Sequence, residues 1–362
     1  MHPIHRHGRQ AFLSVALLEP FPDNARFVTF CTVSRPIMNP AWVKLEPYLK
    51  QYGRGCLSYS VLQAGMQYDI EDGVGFIAYL PFRHPLFAPF GRKIVLADPI
   101  CAPEQAAGML ERFIARHRRV IVLQCSAAIG QVLHDMGYEV NHFGQETELP
   151  IPFDLAGKER SKLRQWRNKC EREGVVVEER AISACDAAEM DALSREWMQE
   201  KGGKELTLLT RPFVRADEPD VRCFWARQKG KLVGLAIFDP MYEQGQVVGY
   251  YHNFDRITAD APNGTSVHII LEAIRRFEAD GIRKVSLGLM PLYILRPHFR
   301  QNDFTMKGLK FAFRKLNHLY PFQGNISHKK KFNGERQPVY FSSTQGNRLW
   351  EMVILMKAMR MI

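Results

Sequence analysis

The sequence predicts an α/β chain of mixed α+β character, arranged as two tandem domains that each carry a mixed, mostly antiparallel sheet flanked by helices. Three observations predict it. The order helix, antiparallel meander, then strand–helix–strand occurs twice, on either side of residue 157. The candidate strands are short, rich in β-branched residues, and punctuated by Gly, Asp-Pro or Lys-Gly. The 362 residues, 46% hydrophobic and 24% charged, are enough for two cores of ordinary composition.

Residues 1–25 read as an irregular leader, and 27–33 as a short strand. A helix is expected within 42–52, starting near Pro47, because proline is tolerated in a first turn and disrupts a later one. Strands follow at 57–63, 66–70, 75–79 and 93–97, with Ala64-Gly65 as a tight turn. Pro103 and Glu104 open a helix whose Met109, Phe113 and Ile114 face inward. A buried strand at 120–124, a helix at 129–136 and a long strand at 139–149 close the first domain, 26–157. The second, 158–342, starts with a charged helix over 158–173 and a strand at 175–180. A helix at 186–200 follows, then a meander at 221–227, 232–238 and 246–253. Helix 266–280 and strand 284–287 make a β–α–β connection, and Phe322-Gln323-Gly324 reads as a turn. Residues 343–362 read as an amphipathic C-terminal helix, for which docking on the protein's own core is favoured over a membrane interface.

Composition narrows the function. No apolar run approaches the roughly 18 residues of a membrane-spanning helix, and no secretory signal opens the chain, so a cytoplasmic location is expected. The seven cysteines are scattered without a C-x-x-C pair, and His2, His5 and His7 fit an irregular terminus, so no metal is expected. Lysine and arginine number 49 against 38 acidic residues, a net +11 that favours polyanionic partners, nucleic acid or an anionic membrane face. The charge is concentrated. Over 158–172 seven residues are basic and two acidic, with Arg160, Arg164 and Arg167 on one helical face and Lys169 beside them. A second cluster contains Lys307, Lys310, Arg314, Lys329, Lys330, Lys331 and Arg336. Phosphate contacts by such side chains release counterions and give salt-sensitive binding.

The segment 131–138, a helix ending in Gly137-Tyr138, resembles the close of a GNAT domain. The stretch 256–265, where acetyl-CoA-dependent GNAT enzymes carry a glycine-rich diphosphate loop, has a single glycine, a proline and an acidic residue, which disfavours CoA. A longer set of motifs follows in order: Gln51-Tyr52-Gly53, Ala97-Asp98-Pro99-Ile100, Gly144-Gln145-Glu146, Lys162-Leu163-Arg164, Ser194 with Trp197, Pro262-Asn263-Gly264-Thr265, residues 287–292, residues 319–324, Lys329, Lys331-Phe332 and Tyr340. Together, over residues 50–342, they resemble the catalytic domain of phosphatidylglycerol lysyltransferases and alanyltransferases of the multiple peptide resistance factor type. That resemblance implies a tandem GNAT fold and aminoacyl transfer from aminoacyl-tRNA to a lipid hydroxyl or other acceptor, with no cofactor. It places the chain at the inner face of the membrane as a peripheral protein.

The chain departs from the family pattern at Asn253 and Val267, where acidic residues are expected. The transfer needs alignment and a charge for the oxyanion, because the ester is already activated. Arg256 and Lys329 are the candidate cations, Asn253 stands at the acidic position, and His252 is a candidate base. Gly288, Met290, Pro291 and Tyr320 are expected to line the pocket, with Arg256 and Lys329 together in it. The expected tRNA-binding set is Arg160, Arg164, Arg167, Lys169, Lys329 and Lys331. The alternatives are an acyl-CoA-dependent N-acyltransferase and a non-catalytic tRNA- or membrane-binding module.

Overall fold

The computed structural model describes residues 41–200, 207–293, 296, 298–315 and 322–361, all within one compact unit, Pro36–Ile362. The leader at 1–25, the strand at 27–33, the Gly202-Gly203 break and Tyr320 lie outside the described residues. In chain order the strands are β1 Gln67–Glu71, β2 Gly75–His84, β3 Ala88–Leu96, β4 Ile100–Cys101, β5 Val120–Cys125, β6 Val140–Pro150, β7 Val175–Glu179, β8 Arg222–Gln228, β9 Lys231–Glu243, β10 Gln246–Ile257, β11 Lys284–Pro291 and β12 Glu335–Ser343. The helices are α1 Trp42–Tyr52, α2 Pro103–His117, α3 Ala127–Asp135, α4 Ser161–Arg172, α5 Ala187–Glu200, α6 Thr265–Ala279, α7 Asp303–Lys315, α8 Phe322–Lys330 and α9 Leu349–Ala358.

All twelve strands join one mixed sheet in the order β1-β2-β3-β5-β12-β6-β11-β10-β9-β8-β7, with β4 on β2. The order is a repeat with an exchange. Helix α2 connects the parallel pair β3 and β5, and α6 connects the parallel pair β10 and β11. The strand closing the first half, β6, then pairs with β11, whereas the strand closing the second, β12, pairs with β5. Antiparallel pairing of β6 with β12 welds the centre. The chain order therefore repeats about residue 157, but the two stretches expected as separate domains share one sheet and one compact unit.

Side-chain alternation along the strands explains the layers. On β5, Ile121 and Leu123 join the core under α1 and α9, while Val120 and Val122 join the core under α2 and α3. On β8, Cys223 and Trp225 pack toward α5, and Phe224 and Ala226 toward α4 and α6. The C-terminal helix α9 buries Met352, Ile354, Leu355 and Ala358 in the first of these cores. It is docked on the protein's own core, as the sequence favours.

Three local readings are corrected. Helix α1 runs through Pro47, whose missing N–H would have bonded the carbonyl of Val43, a residue that is 77% exposed at the solvent side. The expected strand at 57–63 is a chain of tight turns ending in a 3₁₀ turn, Ser60–Leu62. Residues 57–61 are buried, apolar and polar alike, and the Ser58 hydroxyl accepts from Gly55 N at 3.1 Å, favouring a turn over a ladder. Phe322-Gln323-Gly324 is the first turn of α8 rather than a connecting turn.

A candidate active site where two strands part

Strands β10 and β11 pair only from Gly249 with Lys284 to Tyr251 with Ser286. Beyond that point β10 continues against β9 to Ile257, and β11 against β6 to Pro291. The sheet opens between them. A register shift at His252/Phe254 in β10 and another at Ser286/Gly288 in β11 turn the strands away from each other. Gly288 has φ +71°, and a Cβ there would lie 2.5 Å from Tyr251 Cε2. Only glycine lets the Tyr251 ring cross the bulge, which its hydroxyl secures by donating to Leu209 O at 3.2 Å.

Lys329 reaches this opening from α8. Its Nζ donates to Leu289 O at 2.9 Å, and burial pulls the ammonium down to about 8 against the opposing pull of Cys56, Glu146 and Asp255. Glu146 accepts from Gln124 Nε2 at 2.7 Å, and burial raises its carboxyl above the usual carboxylate range. Cys56, held against Glu146 and Ser286, has a thiol that burial pushes up. On the other side stands His252, pulled down to about 4 by burial, with Asp255 raising it and His328 and Lys329 lowering it. Its Nε2 is buried without a hydrogen-bond partner among the described residues. The opening thus holds a neutral imidazole, an ammonium poised near neutrality, and carboxylates nearby. Cys56, Gln124, Glu146, Asp255 and His328 were not among the expected site residues, since their relation to Lys329 is made by strand exchange and by α8.

The expected union of Arg256 with Lys329 does not form. Asp255 and Arg256 are consecutive residues without a bulge between them, so they point to opposite faces. Asp255 accepts from the Ser266 hydroxyl on α6, and its charge, unlike that of Arg256, acts on Lys329 and His328. Arg256 instead turns toward α5, donates to Ser194 Oγ, and lies 5.3 Å from the Trp197, 5.0 Å from the Phe213 and 5.4 Å from the Phe254 ring centroids. At 5% exposure it is a guanidinium packed in an aromatic box.

Asn253 is also a positioning group. Its Oδ1 accepts from Arg211 N at 3.0 Å and its Nδ2 donates to Arg211 O at 3.1 Å. The Arg211 guanidinium is in turn held by Asp239 at 2.7 Å and by Glu218 at 2.5 Å. An amide suits this place because it offers both a donor and an acceptor, where a carboxylate would only accept. Val267 is 1% exposed within the α6 core, so an acid there would be buried among apolar side chains. Met290 is fully buried and does not line an opening, and Pro291 pairs with Gly144 at the end of β11.

The basic residues divide by use. Arg160 donates to Asp154 O and stacks 4.2 Å from the Phe153 ring centroid, and Arg164 donates to Leu155 O and, at 2.8 Å, to Gly157 O. Both are spent on tying down the connection before α4. Arg167 pairs with Glu171 at 3.5 Å and Lys169 with Glu173 at 3.7 Å. A different group surrounds two aromatic rings. Lys162 and Lys331 lie 5.3 Å and 4.6 Å from the Trp166 ring centroid, and Gly264, with φ +108°, packs against that indole. Lys330 and Arg336 similarly flank Tyr293, at 5.5 Å and 5.4 Å. Cations interleaved with aromatic faces suit a single-stranded nucleic-acid end. Of the expected set, Lys331 belongs to this face and Lys329 to the opening.

Among the described residues no group of His, Cys, Asp and Glu side chains could hold a metal ion, and no helix is long and apolar enough to cross a membrane. The family described as phosphatidylglycerol lysyltransferase, C-terminal, matches residues 48–342. A phosphatidylglycerol lysyltransferase of Staphylococcus xylosus is 20% identical over 327 residues, 88% of this chain and 37% of that protein. One from Staphylococcus aureus strain MRSA252 is 22% identical over 326 residues, again 88% of this chain and 37% of the relative. The chain thus spans little more than a third of the curated relatives it matches. The solved structure of L-PGS from Bacillus licheniformis superposes with a TM-score of 0.71 at 20% identity, covering 89% of this chain and 96% of that one. The mixed sheet flanked by helices is thus shared with a solved relative, and the match over 48–342 establishes that the chain belongs to the phosphatidylglycerol lysyltransferase C-terminal family.

Proposed function

We propose that the chain transfers an aminoacyl group from aminoacyl-tRNA to a hydroxyl of a phosphatidylglycerol-like lipid at the inner face of the membrane, without a cofactor. The observation that supports this reading is the parting of β10 and β11, which leaves at one opening the Lys329 ammonium and a His252 Nε2 without a hydrogen-bond partner among the described residues. The relatives' names supply the acceptor class. The cation–aromatic face around Trp166 and Tyr293 supplies a seat for the tRNA 3′ end.

In this reading the acceptor oxygen attacks the ester carbonyl carbon while its proton passes to His252 Nε2, and Asp255 favours the imidazolium that forms. Leu289 O occupies one of the three N–H donors of Lys329, and the others meet the oxyanion. Collapse breaks the bond to the ribose oxygen of the tRNA, which takes the proton back from His252. No residue needs to supply energy, because one ester replaces another.

The test supplies charged tRNA and, in parallel, acyl-CoA to the protein with phosphatidylglycerol vesicles and follows label into lipid. Product is expected with charged tRNA only, and Lys329→Met should lower turnover by about a hundredfold or more, the usual loss when one oxyanion donor is removed. Lipid product from acyl-CoA, or undiminished turnover of the variant, refutes the reading.

A further inference from the structure

Eight large hydrophobic side chains are exposed among the described residues, and six of them, Leu86, Phe90, Phe304, Phe311, Leu349 and Trp350, belong to the β2–β3 hairpin, α7 and the start of α9, which touches both of the others. The Trp350 indole donates to Phe87 O at 3.0 Å and lies 5.6 Å from the Phe87 ring, which joins the start of α9 to the β2–β3 hairpin. Leu349 abuts Gly308 of α7, where an added Cβ would lie 3.0 Å from its Cδ1. Phe304, Gly308 and Phe311 follow one another on a single stripe of α7, bordered by exposed Lys307 and Lys310. Four of the six are mostly exposed, Phe304 76%, Phe90 75%, Leu86 69% and Phe311 65%, while Trp350 at 48% and Leu349 at 39% are partly covered by the contacts that join the segments. Apolar surface grouped in this way marks an interaction site.

The surroundings are basic. At the base of the hairpin a cavity of about 740 Å³ is lined by Arg83, Lys93, Arg118 and Arg119 next to Phe90. Arg348 is exposed at the start of α9. Of the acidic neighbours, Glu351 is held by Arg92 at 2.7 Å, which leaves Asp303 at the start of α7 as the opposing charge on these segments.

The geometry points to this face, made by α7, the start of α9 and the β2–β3 hairpin, as the surface that docks on an anionic bilayer. Leucine and phenylalanine tips enter the acyl boundary, the tryptophan takes the interface, and the lysines and arginines meet lipid phosphates. A single-stranded RNA fits less well, because Leu86 and Leu349 offer no ring for a base to stack on. The inference names where the proposed reaction would meet its lipid and rests on that reading only for the micelle control, since docking itself is scored without a donor.

The experiment floats the 362-residue chain with vesicles of phosphatidylcholine alone and of phosphatidylcholine with phosphatidylglycerol in equal parts. Binding is expected to the anionic vesicles and to weaken by about fivefold for each basic residue of the face replaced, as for charges held at a membrane surface. Phe304→Ser with Phe311→Ser, and separately Leu86→Ser with Phe90→Ser, should each lower partitioning more than tenfold while leaving the unfolding midpoint unchanged, because the side chains are exposed. Their transfer rate on phosphatidylglycerol in detergent micelles should remain that of the parent, which separates failed docking from failed chemistry. Absence of binding by the parent protein, equal binding by the serine variants, or a dimer in solution that those variants dissociate would overturn the inference, the last in favour of a second copy of this chain.

Discussion

Replacing Asn253 by aspartate tests whether the amide is a positioning group or a diminished acid. Asn253 is 6% exposed and meets both backbone groups of Arg211, at 3.0 Å and 3.1 Å. In Asn253→Asp the acceptor survives, but a carboxylate oxygen now faces the Arg211 carbonyl oxygen, and a buried carbonyl loses its donor. The loss should be about 1–3 kcal/mol, the cost of leaving a buried polar group unsatisfied. The nearby guanidinium offers little compensation, because Asp239 and Glu218 already neutralise it. A proton on the new carboxyl restores the donor, so its folded-state pKa must rise above the unfolded value. A group raised in this way contributes fully below the unfolded carboxylate pKa and loses that contribution as pH climbs through the folded one. The deficit against the parent should therefore be largest at pH 7 and shrink as pH falls into the carboxylate range. Urea unfolding at pH 7 and at pH 4.5, with equal m-values required, measures it. A variant as stable as the parent at pH 7, or a deficit that grows on acidification, would refute the reasoning.

Gly288→Ala should cost about 2–4 kcal/mol, combining the left-handed backbone penalty with the 2.5 Å clash against Tyr251, as read from the denaturation midpoint. Turnover should decline as pH rises through about 8, where Lys329 loses its proton, and a Lys329→Arg enzyme that stays active should lose that limb of the pH profile. The sign for stability is opposite: a lysine whose pKa is lowered by folding makes the parent gain stability over Lys329→Met from about pH 8 upward, measurable by unfolding at pH 7 and pH 9.5. Lys162→Gln with Lys331→Gln should reduce the slope of log affinity for tRNA against log salt by roughly one to two units, while Arg167→Gln leaves it nearly unchanged because Glu171 already pairs with that arginine. A filter-binding series across salt concentrations checks both.

Much of the element order was legible in the sequence because it rests on local physics. Apolar residues at helical spacing place α2 and α6, β-branched runs place β5 and β11, and glycine marks the turns at Gly65, Gly137 and Gly281. Lys329 was legible as a candidate because a lysine stands inside a motif of the family, and His252 because it precedes the residue at the expected acidic position. What the sequence could not reveal is which way a side chain points once strands bulge and exchange. The register shift at His252/Phe254 decides which face receives Asp255 and which receives Arg256, and a one-residue slip reverses every such assignment. Arg160 and Arg164 looked like a phosphate-binding face because helical spacing records the direction of a side chain but not its partner, and their partners are carbonyls of the preceding connection. Glu146, held by Gln124, and Cys56 reach Lys329 only because β12 inserts between β5 and β6 and α8 crosses β11, contacts between residues far apart in the chain. The sequence by itself determined the elements, their repeat and the chemistry within reach; tertiary structure decided the shared sheet and the membership of the site, because pairing between distant strands, rather than local propensity, sets where each side chain arrives.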